Sequence, residues 1–307
     1  MFKQTTDTLL MIEPVAFGFN YQTAVNNYFQ QKMYVPESAI QELAIAEFNA
    51  MVKQLRTNGL DVLVVKDTIE PHTPDSIFPN NWVSFHEGGR VVLYPMFAEN
   101  RRNERRDSIL HVIENKKHLI TGVMDYSPFE LQQLFLEGTG SLILDRVNQI
   151  AYAALSERTD KSLLLQFCHD FGYSAVHFTA NQSVGDGRLP IYHTNVMMCV
   201  ADRYAAICLD SIDKEEERNA VVDSLLKTDK EIIVISEDQM HNFAGNMLQV
   251  ENSDGKRFLV MSQTAYDSLH EDQIEHLSSY NDFIVVAIPT IERVGGGSAR
   301  CMLAEVF

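Results

Sequence analysis

A unit of two strands, a helix and a third strand recurs along this chain of 307 residues, and it constrains the fold more than any other feature. Residues 141–178 alternate apolar side chains around a turn at Asn148, then take the apolar period of a helix that stops at Gly172, and end in a short apolar strand. The same order of elements recurs over residues 196–236 and 247–288. The chain is therefore predicted to be built from repeated α/β units.

A less regular copy of the unit precedes these three. It begins at Trp82, turns at residues 88–89, continues as a helix from about Arg101 and ends near Leu119. In the last of the regular copies, the apolar pattern predicts a single helix over residues 265–279.

The fifth unit must be assembled from the two ends of the chain. A strand over residues 301–306 would combine with a strand near residues 9–12, a helix that begins at Pro36 and a closing strand over residues 61–65. Five units closed in this way predict one α/β domain, residues 1–307, with strands in a central ring and helices outside. The alternative is an ordinary α/β sandwich in which the spacing is accidental.

Charge narrows the range of partners. The chain has 25 Lys and Arg against 42 Asp and Glu, a formal net charge of -17, which repels nucleic acid and anionic lipid. No secretory signal or bilayer-length apolar run is visible, so a cytoplasmic location is expected.

The four cysteines follow no disulfide or zinc pattern, and we expect neither metal nor cofactor. A homodimer is compatible with the sequence, which leaves the oligomeric state open.

Cys301 follows a loop of three glycines, residues 295–297, at the predicted start of a strand. A thiol needs a supporting base or cation to react, so Cys301 alone is more readily a core residue. However, His193 and Glu137 stand just before the first strands of two other units, and residues 80–81 do so in a fourth. Taken singly, each of these can be explained as a core histidine, an exposed carboxylate or a turn. In a closed ring, equivalent positions converge, which would bring a nucleophile, a general acid/base and a carboxylate together.

Five segments resemble the guanidine-modifying superfamily: FPNNW, LEGTGSLILDR, SERTD, IYHTNV and GGGSARC. Its members include arginine deiminases, dimethylargininases and glycine amidinotransferases on a five-bladed ββαβ propeller, the pentein fold, and the sequence looks most like the citrulline-utilisation hydrolases. The resemblance implies that Cys301 is the nucleophile, His193 the general acid/base and Glu137 the carboxylate that holds the substrate nitrogens. It further implies that Arg158 binds the α-carboxylate of an amino-acid substrate. Arg101 resembles a second such arginine, or is the solvated start of a helix.

The sequence departs from arginine-specific members of the superfamily at two positions. Where those commonly carry aspartates that pair with a guanidinium, this chain has Asn81, or in the adjacent register Asn80, and Asn195. An amide offers both a donor and an acceptor and so matches a neutral ureido group. We therefore predict hydrolysis of citrulline to ornithine, carbon dioxide and ammonia, with backbone amides of residues 295–298 expected near the developing oxyanion.

Three alternatives remain open from the sequence. The first is an arginine deiminase or dimethylarginine hydrolase, which would use the same residues on a cationic substrate. The second is an amidinotransferase, in which an amine replaces water as the acceptor. The third is a propeller without catalytic activity that binds a partner or a small molecule.

Overall fold

A computed structural model describes residues 2–116 and 119–307 of the chain. In chain order the strands are β1 (Thr8–Glu13), β2 (Asp61–Lys66), β3 (Val83–His86), β4 (Arg90–Leu93), β5 (Gly122–Asp125), β6 (Ile143–Asp145), β7 (Ile150–Ala154), β8 (Ser174–Phe178), β9 (Asn181–Val184), β10 (Gly187–Pro190), β11 (Met198–Val200), β12 (Tyr204–Ile207), β13 (Glu231–Val234), β14 (Leu248–Glu251), β15 (Arg257–Ser262), β16 (Asp282–Val286) and β17 (Ala304–Val306). The helices are α1 (Glu37–Thr57), α2 (Asp107–Asn115), α3 (Gly138–Ser141), α4 (Lys161–Phe171), α5 (Glu215–Lys227), α6 (Glu237–His241), α7 (Gln263–Ser268), α8 (Glu271–Ser278) and α9 (Pro289–Gly295).

Five three-stranded sheets within the described residues share one topology. Their strand orders are β17-β1-β2, β3-β4-β5, β6-β7-β8, β11-β12-β13 and β14-β15-β16. In each sheet the first pair is antiparallel and the second pair is parallel. A parallel pair needs a crossover connection, and in each sheet a helix stands between the second and third strands. The predicted order of two strands, a helix and a strand is thus present in all five units, and the fold is α/β. A separate hairpin, β9-β10, lies outside them.

Helix α4 illustrates how local sequence sets these elements. The Asp160 side chain caps its first turn by accepting from the backbone N–H groups of Ser162 and Leu163. The helix ends at Gly172, whose φ of 73° is left-handed and favours glycine. Its apolar face is buried in the core: Leu163, Leu164, Phe167, Cys168 and Phe171. The helix ends at the predicted position, Gly172, and strand β8 ends at residue 178, where the predicted unit ends.

Three elements differ from the prediction. The helix predicted over residues 265–279 is divided at Leu269, which is extended, and α8 starts anew with a capping box between His270 and Gln273. Before α2 the chain forms a 3-10 helix, Glu99–Glu104, so the α-helix begins at Asp107 rather than near Arg101. The strand of this unit is β5, which follows the predicted end at residue 119.

A further difference concerns the C-terminal strand. Only Ala304–Val306 forms a strand, and Cys301 lies in the 3-10 turn Ala299–Met302 just before it. Similar short turns precede the first strands of other units, at Pro79–Asn81, at α3 and at Thr194–Val196. The turn at Pro79–Asn81 contacts both α3 and the Ala299–Met302 turn, and α3 contacts the Thr194–Val196 turn. The polar positions that the sequence placed before separate strands are therefore neighbours in space.

Across the parts of the chain that the structure describes, no helix is both long and apolar enough to span a bilayer.

Candidate active site

The Cys301 sulfur is buried and accepts hydrogen bonds from two side-chain amides. The Nδ2 atom of Asn246 lies 3.2 Å from Sγ, and the Nδ2 atom of Asn195 lies 3.4 Å from it. The Asn246 amide is held in this orientation because the Arg300 backbone N–H donates to its Oδ1 at 3.1 Å. Its Nδ2 also donates to the carbonyl of Asn195 at 3.0 Å. Two amide N–H donors therefore converge on this sulfur, and Oδ1 of Asn246 lies 3.6 Å from it as an acceptor for the thiol hydrogen.

His193, which lines the same cavity as Cys301, forms a buried pair with Glu137. Their Nε2 and Oε2 atoms are 2.7 Å apart. Burial lowers the pKa of His193 to about 4, although the carboxylate opposes this. Burial alone would raise the pKa of Glu137, but Arg158 and the hydrogen bond with His193 bring it down to about 2. At neutral pH the carboxylate can only accept, so His193 donates from Nε2 and keeps a lone pair on Nδ1.

Gly140 leaves no room for a side chain between two residues of the site. A Cβ atom at this position would lie 2.4 Å from Nδ2 of Asn81 and 2.8 Å from Nδ1 of His193. Its neighbour Gly138 has a φ of 47°, and a Cβ there would lie 2.2 Å from the carbonyl oxygen of Asn80. The Glu-Gly-Thr-Gly segment is therefore needed for both backbone conformation and clearance.

The neutral state of His193 predicts a specific loss of stability in acid. The unfolded histidine binds a proton near its ordinary pKa of 6.5, whereas the folded one does so only near 4. Stability is therefore lost as pH falls from 6.5 toward 4. Between about pH 7 and about pH 5 the parent should lose on the order of 2 kcal/mol relative to His193→Asn. Denaturant unfolding of both proteins at the two pH values measures this, and a constant difference would contradict it.

Asn81 and Asn195 present opposite hydrogen-bonding ends. Arg101 donates to Oδ1 of Asn81 at 2.8 Å, and the Nδ2 of Asn81 is buried with no partner among the described residues. Asn195 uses Nδ2 on the sulfur, and its Oδ1 is buried and without a partner in the same part of the chain. Asn81 lines the cavity in front of the thiol, which favours it over Asn80 for the predicted role.

The guanidinium groups of Arg158 and Arg101 have different hydrogen-bond partners. Arg158 is buried and donates from Nε and Nη2 to Oδ1 of Asn26 and from Nη2 to the carbonyl of Thr23. Arg101 is also buried, so its reading as a solvated helix start is wrong. Its Nε and Nη2 atoms bind both carboxylate oxygens of Glu104, at 2.8 and 2.9 Å. A second clamp on a substrate carboxylate at Arg101 would have to displace this internal carboxylate.

Further residues reach the site without having been predicted. Asn246, which precedes strand β14, contacts the sulfur. Asp75 is buried and lines the cavity with an Oδ1 atom that has no partner within the described ranges. The N–H of Gly296 donates to the carbonyl of Glu292, so this amide of the glycine loop does not point at the cavity as expected. Residues 14–36, here called the covering segment, supply Asn26, the partner of Arg158, and the cavity-lining residues Thr23 and Asn27.

The other cysteines lack comparable surroundings. Burial raises the pKa of Cys168 and of Cys199 to about 11, and it raises the pKa of Cys208 as well. These thiols are core residues. In residues 2–116 and 119–307 no group of three or more His, Cys, Asp or Glu is placed to hold a metal ion.

Comparison with known proteins gives one family and a set of related folds. The family described as N,N dimethylarginine dimethylhydrolase, eukaryotic, matches residues 13–307. No curated protein matches the chain. Among solved structures, the N-terminal domain of ArgZ, in covalent complex with a reaction intermediate, aligns with a TM-score of 0.74 and 18% identity over 98% of this chain and 97% of that domain.

Two further structures show the same fold. The apo structure of full-length ArgZ, an arginine dihydrolase of the ornithine-ammonia cycle in Cyanobacteria, has a TM-score of 0.73 and 18% identity. That alignment covers 97% of this chain and 40% of ArgZ, so the chain spans well under half of that protein. A dimethylarginine dimethylaminohydrolase variant, in an adduct with S-methyl-L-thiocitrulline, has a TM-score of 0.63 and 15% identity over 99% of this chain and 100% of its own.

Proposed function

The chain belongs to the N,N dimethylarginine dimethylhydrolase family of guanidine-modifying pentein enzymes, and from this premise we propose that it hydrolyses citrulline to ornithine, carbon dioxide and ammonia. It is a hydrolase that acts on a carbon–nitrogen bond. The proposal goes beyond the family in three respects. It names the substrate, it assigns a role to each site residue, and it closes the five units into a single five-bladed propeller over residues 1–307. Contact between the turns that precede four of the first strands supports that closure.

The opposite polarity of two buried amides carries the substrate proposal. A ureido group has a carbonyl oxygen that accepts and an amino group that donates. Nδ2 of Asn81 is a buried donor and Oδ1 of Asn195 a buried acceptor, and neither has a partner among the residues described. Asn81 lines the cavity and Asn195 contacts the Cys301 sulfur, so a ligand that reaches both is favoured because unpaired buried polar groups are costly. A guanidinium has only donors and would leave the amide of Asn81 unsatisfied.

In the proposed first step the Cys301 sulfur attacks the ureido carbon and its proton passes to Nδ1 of His193. The tetrahedral adduct carries an oxyanion, which the Nδ2 group of Asn81 is suited to stabilise. His193 then returns the proton to the departing nitrogen. Ornithine leaves as a free amine, and the carbamoyl group stays bonded to the sulfur. Glu137 stabilises the transient charge on the imidazole.

The second step uses the same groups in reverse order. His193 takes a proton from water, and the hydroxide attacks the carbonyl carbon of the S-carbamoyl group. The carbon–sulfur bond breaks, His193 returns its proton to the sulfur and so restores the thiol, and the released carbamic acid decomposes to carbon dioxide and ammonia. Water is the only co-reactant, and no metal or organic cofactor takes part.

Two charged residues are suited to hold the amino-acid end of the substrate. Arg158 offers the planar fork that matches a carboxylate, and Asp75 offers a buried oxygen for an ammonium group. In this structure the Asn26 amide oxygen occupies the fork of Arg158. We propose that the covering segment opens so that the α-carboxylate replaces this oxygen.

Arginine or a methylated arginine is the second candidate substrate, because the family that matches the chain is described by dimethylarginine hydrolysis. One experiment separates the candidates: purified protein is incubated with citrulline, arginine or dimethylarginine, and ornithine and citrulline are quantified. We expect ornithine from citrulline. If arginine is consumed while citrulline is inert, the proposal is wrong.

A propeller without catalysis is tested by covalent labelling. We expect a haloacetamidine to modify Cys301 faster than Cys168 or Cys208, whose thiols are core residues with raised pKa values. The site of modification is measured by mass spectrometry over time in the folded protein. Equal rates at the three cysteines would favour a binding module over an enzyme.

A further inference from the structure

Glu104 and Arg101 form a buried ion pair, joined by two hydrogen bonds, next to the cavity. Glu104 ends the 3-10 helix Glu99–Glu104 and meets the guanidinium with both oxygens, at 2.8 and 2.9 Å. The guanidinium also donates to the carbonyls of Phe78 at 3.1 Å and Asp75 at 3.4 Å. Both charged side chains are 2% exposed. The plane of the guanidinium is therefore held from several directions.

The remaining contact of Arg101 decides how Asn81 faces the cavity. An arginine has only donors, so the Asn81 amide must turn its oxygen toward Nη1, at 2.8 Å. Its NH2 group is then the end that lines the site. A flipped amide would place two donors against each other and is disfavoured.

We propose that Glu104 and Arg101 are positioning residues that fix the hydrogen-bonding polarity of Asn81, and thereby select ligands that present an acceptor to it. The proposal rests on the proposed function, because it assumes that the Asn81 amide faces the ureido oxygen. It reassigns Arg101 from binding the substrate carboxylate to orienting an amide. Neither residue needs to touch the substrate for this effect.

The test compares two neutral ligands, so that changes in pocket charge cancel. Citrulline carries a carbonyl oxygen, and thiocitrulline carries a thiocarbonyl sulfur, which is a weak acceptor. Their dissociation constants are measured by calorimetry on the Cys301→Ser protein, which binds without turnover. We expect Cys301→Ser to bind citrulline at least about tenfold more tightly than thiocitrulline. In the Cys301→Ser, Glu104→Gln double variant this preference should fall to about threefold or less.

A second variant guards against misfolding of the first. Arg101→Gln can present either end of its amide to Asn81, so it should reduce the preference in the same way. In an Asn81→Ala background, Glu104→Gln should change the ratio no further, because there is no amide left to orient. Asp145→Asn, which breaks the equally buried pair of Asp145 with Lys230 at 3.4 Å, is the matched control and should keep the preference.

Each outcome bears on one proposal or both. If the folded Glu104→Gln and Arg101→Gln proteins keep the parent ratio of dissociation constants, the positioning role of Glu104 and Arg101 is wrong. It is also wrong if Glu104→Gln shifts this ratio equally in the Asn81→Ala background. Citrulline that binds to Cys301→Ser but is not consumed by the parent overturns the proposed function alone. No measurable citrulline binding to Cys301→Ser overturns both.

Discussion

Cys301→Ser is expected to lower citrulline turnover by at least about a thousandfold while leaving the protein folded. The sulfur is the atom on which the Asn246 and Asn195 donors converge, at 3.2 and 3.4 Å, and it lines the same cavity as His193. A serine hydroxyl is a much weaker acid and a much poorer nucleophile at neutral pH than a cysteine thiol. Serine is close in size to cysteine, which limits the disturbance of packing.

The measurement combines ornithine formation with mass spectrometry of the protein mixed with citrulline. The parent should show a carbamoyl adduct and Cys301→Ser should show none. Cys168→Ser is the matched control, because Cys168 is another buried thiol, on helix α4, away from the cavity. We expect the control to keep its turnover even if the buried hydroxyl lowers its stability. Turnover near the parent rate in Cys301→Ser would refute the nucleophile assignment.

The repeated units could be predicted from sequence because their signals are local. The alternation in β7 and β8 and the left-handed glycine after α4 lie within a few residues of the elements that they define. One departure has a cause that depends on tertiary contacts. The sequence around Arg101 predicts an α-helix. The chain forms a 3-10 helix there instead, and in it the Arg101 side chain is buried against Glu104 and Asn81.

The candidate site was predictable to the extent that it follows from the repeats. Cys301, His193 and Glu137 occupy equivalent positions, so a ring of units would bring them together. The contribution of Asn26 carries no such signal, because it lies in a segment without periodicity, 132 residues from its partner Arg158. The hydrogen-bonding polarity of Asn81 likewise depends on a guanidinium twenty positions away, which no local pattern encodes.

The pair of substitutions Asn81→Asp and Asn195→Asp is expected to move the preference toward cationic substrates. A carboxylate cannot donate to a ureido oxygen, so each substitution removes a partner or adds an unpaired acceptor, at a cost of about 1–3 kcal/mol per unsatisfied group. A guanidinium would pair with the new charges within the pocket. The ratio of kcat/KM for citrulline and arginine should shift by at least about tenfold toward arginine, which is roughly 1.4 kcal/mol of transition-state stabilisation.

The two substitutions should contribute unequally, and the single variants measure this. Asp at position 81 would be paired by Arg101, which already lies 2.8 Å from the oxygen of Asn81, so part of its charge is neutralised before a substrate arrives. Asp at position 195 has no such cation and would stand beside the Cys301 sulfur, where it disfavours the thiolate until a guanidinium binds. Asn195→Asp should therefore carry the larger part of the shift and also the larger loss of citrulline turnover.

Steady-state kinetics on the parent, both single variants and the double variant supply the four ratios, with circular dichroism to verify folding. Asn80→Asp is the matched control: it adds the same charge one residue away, at a buried side chain outside the cavity lining, and should not shift the ratio toward arginine beyond its general cost. If a folded and active double variant keeps the parent ratio, these asparagines do not discriminate between a neutral and a cationic substrate. The choice of citrulline over arginine would then depend on resemblance alone.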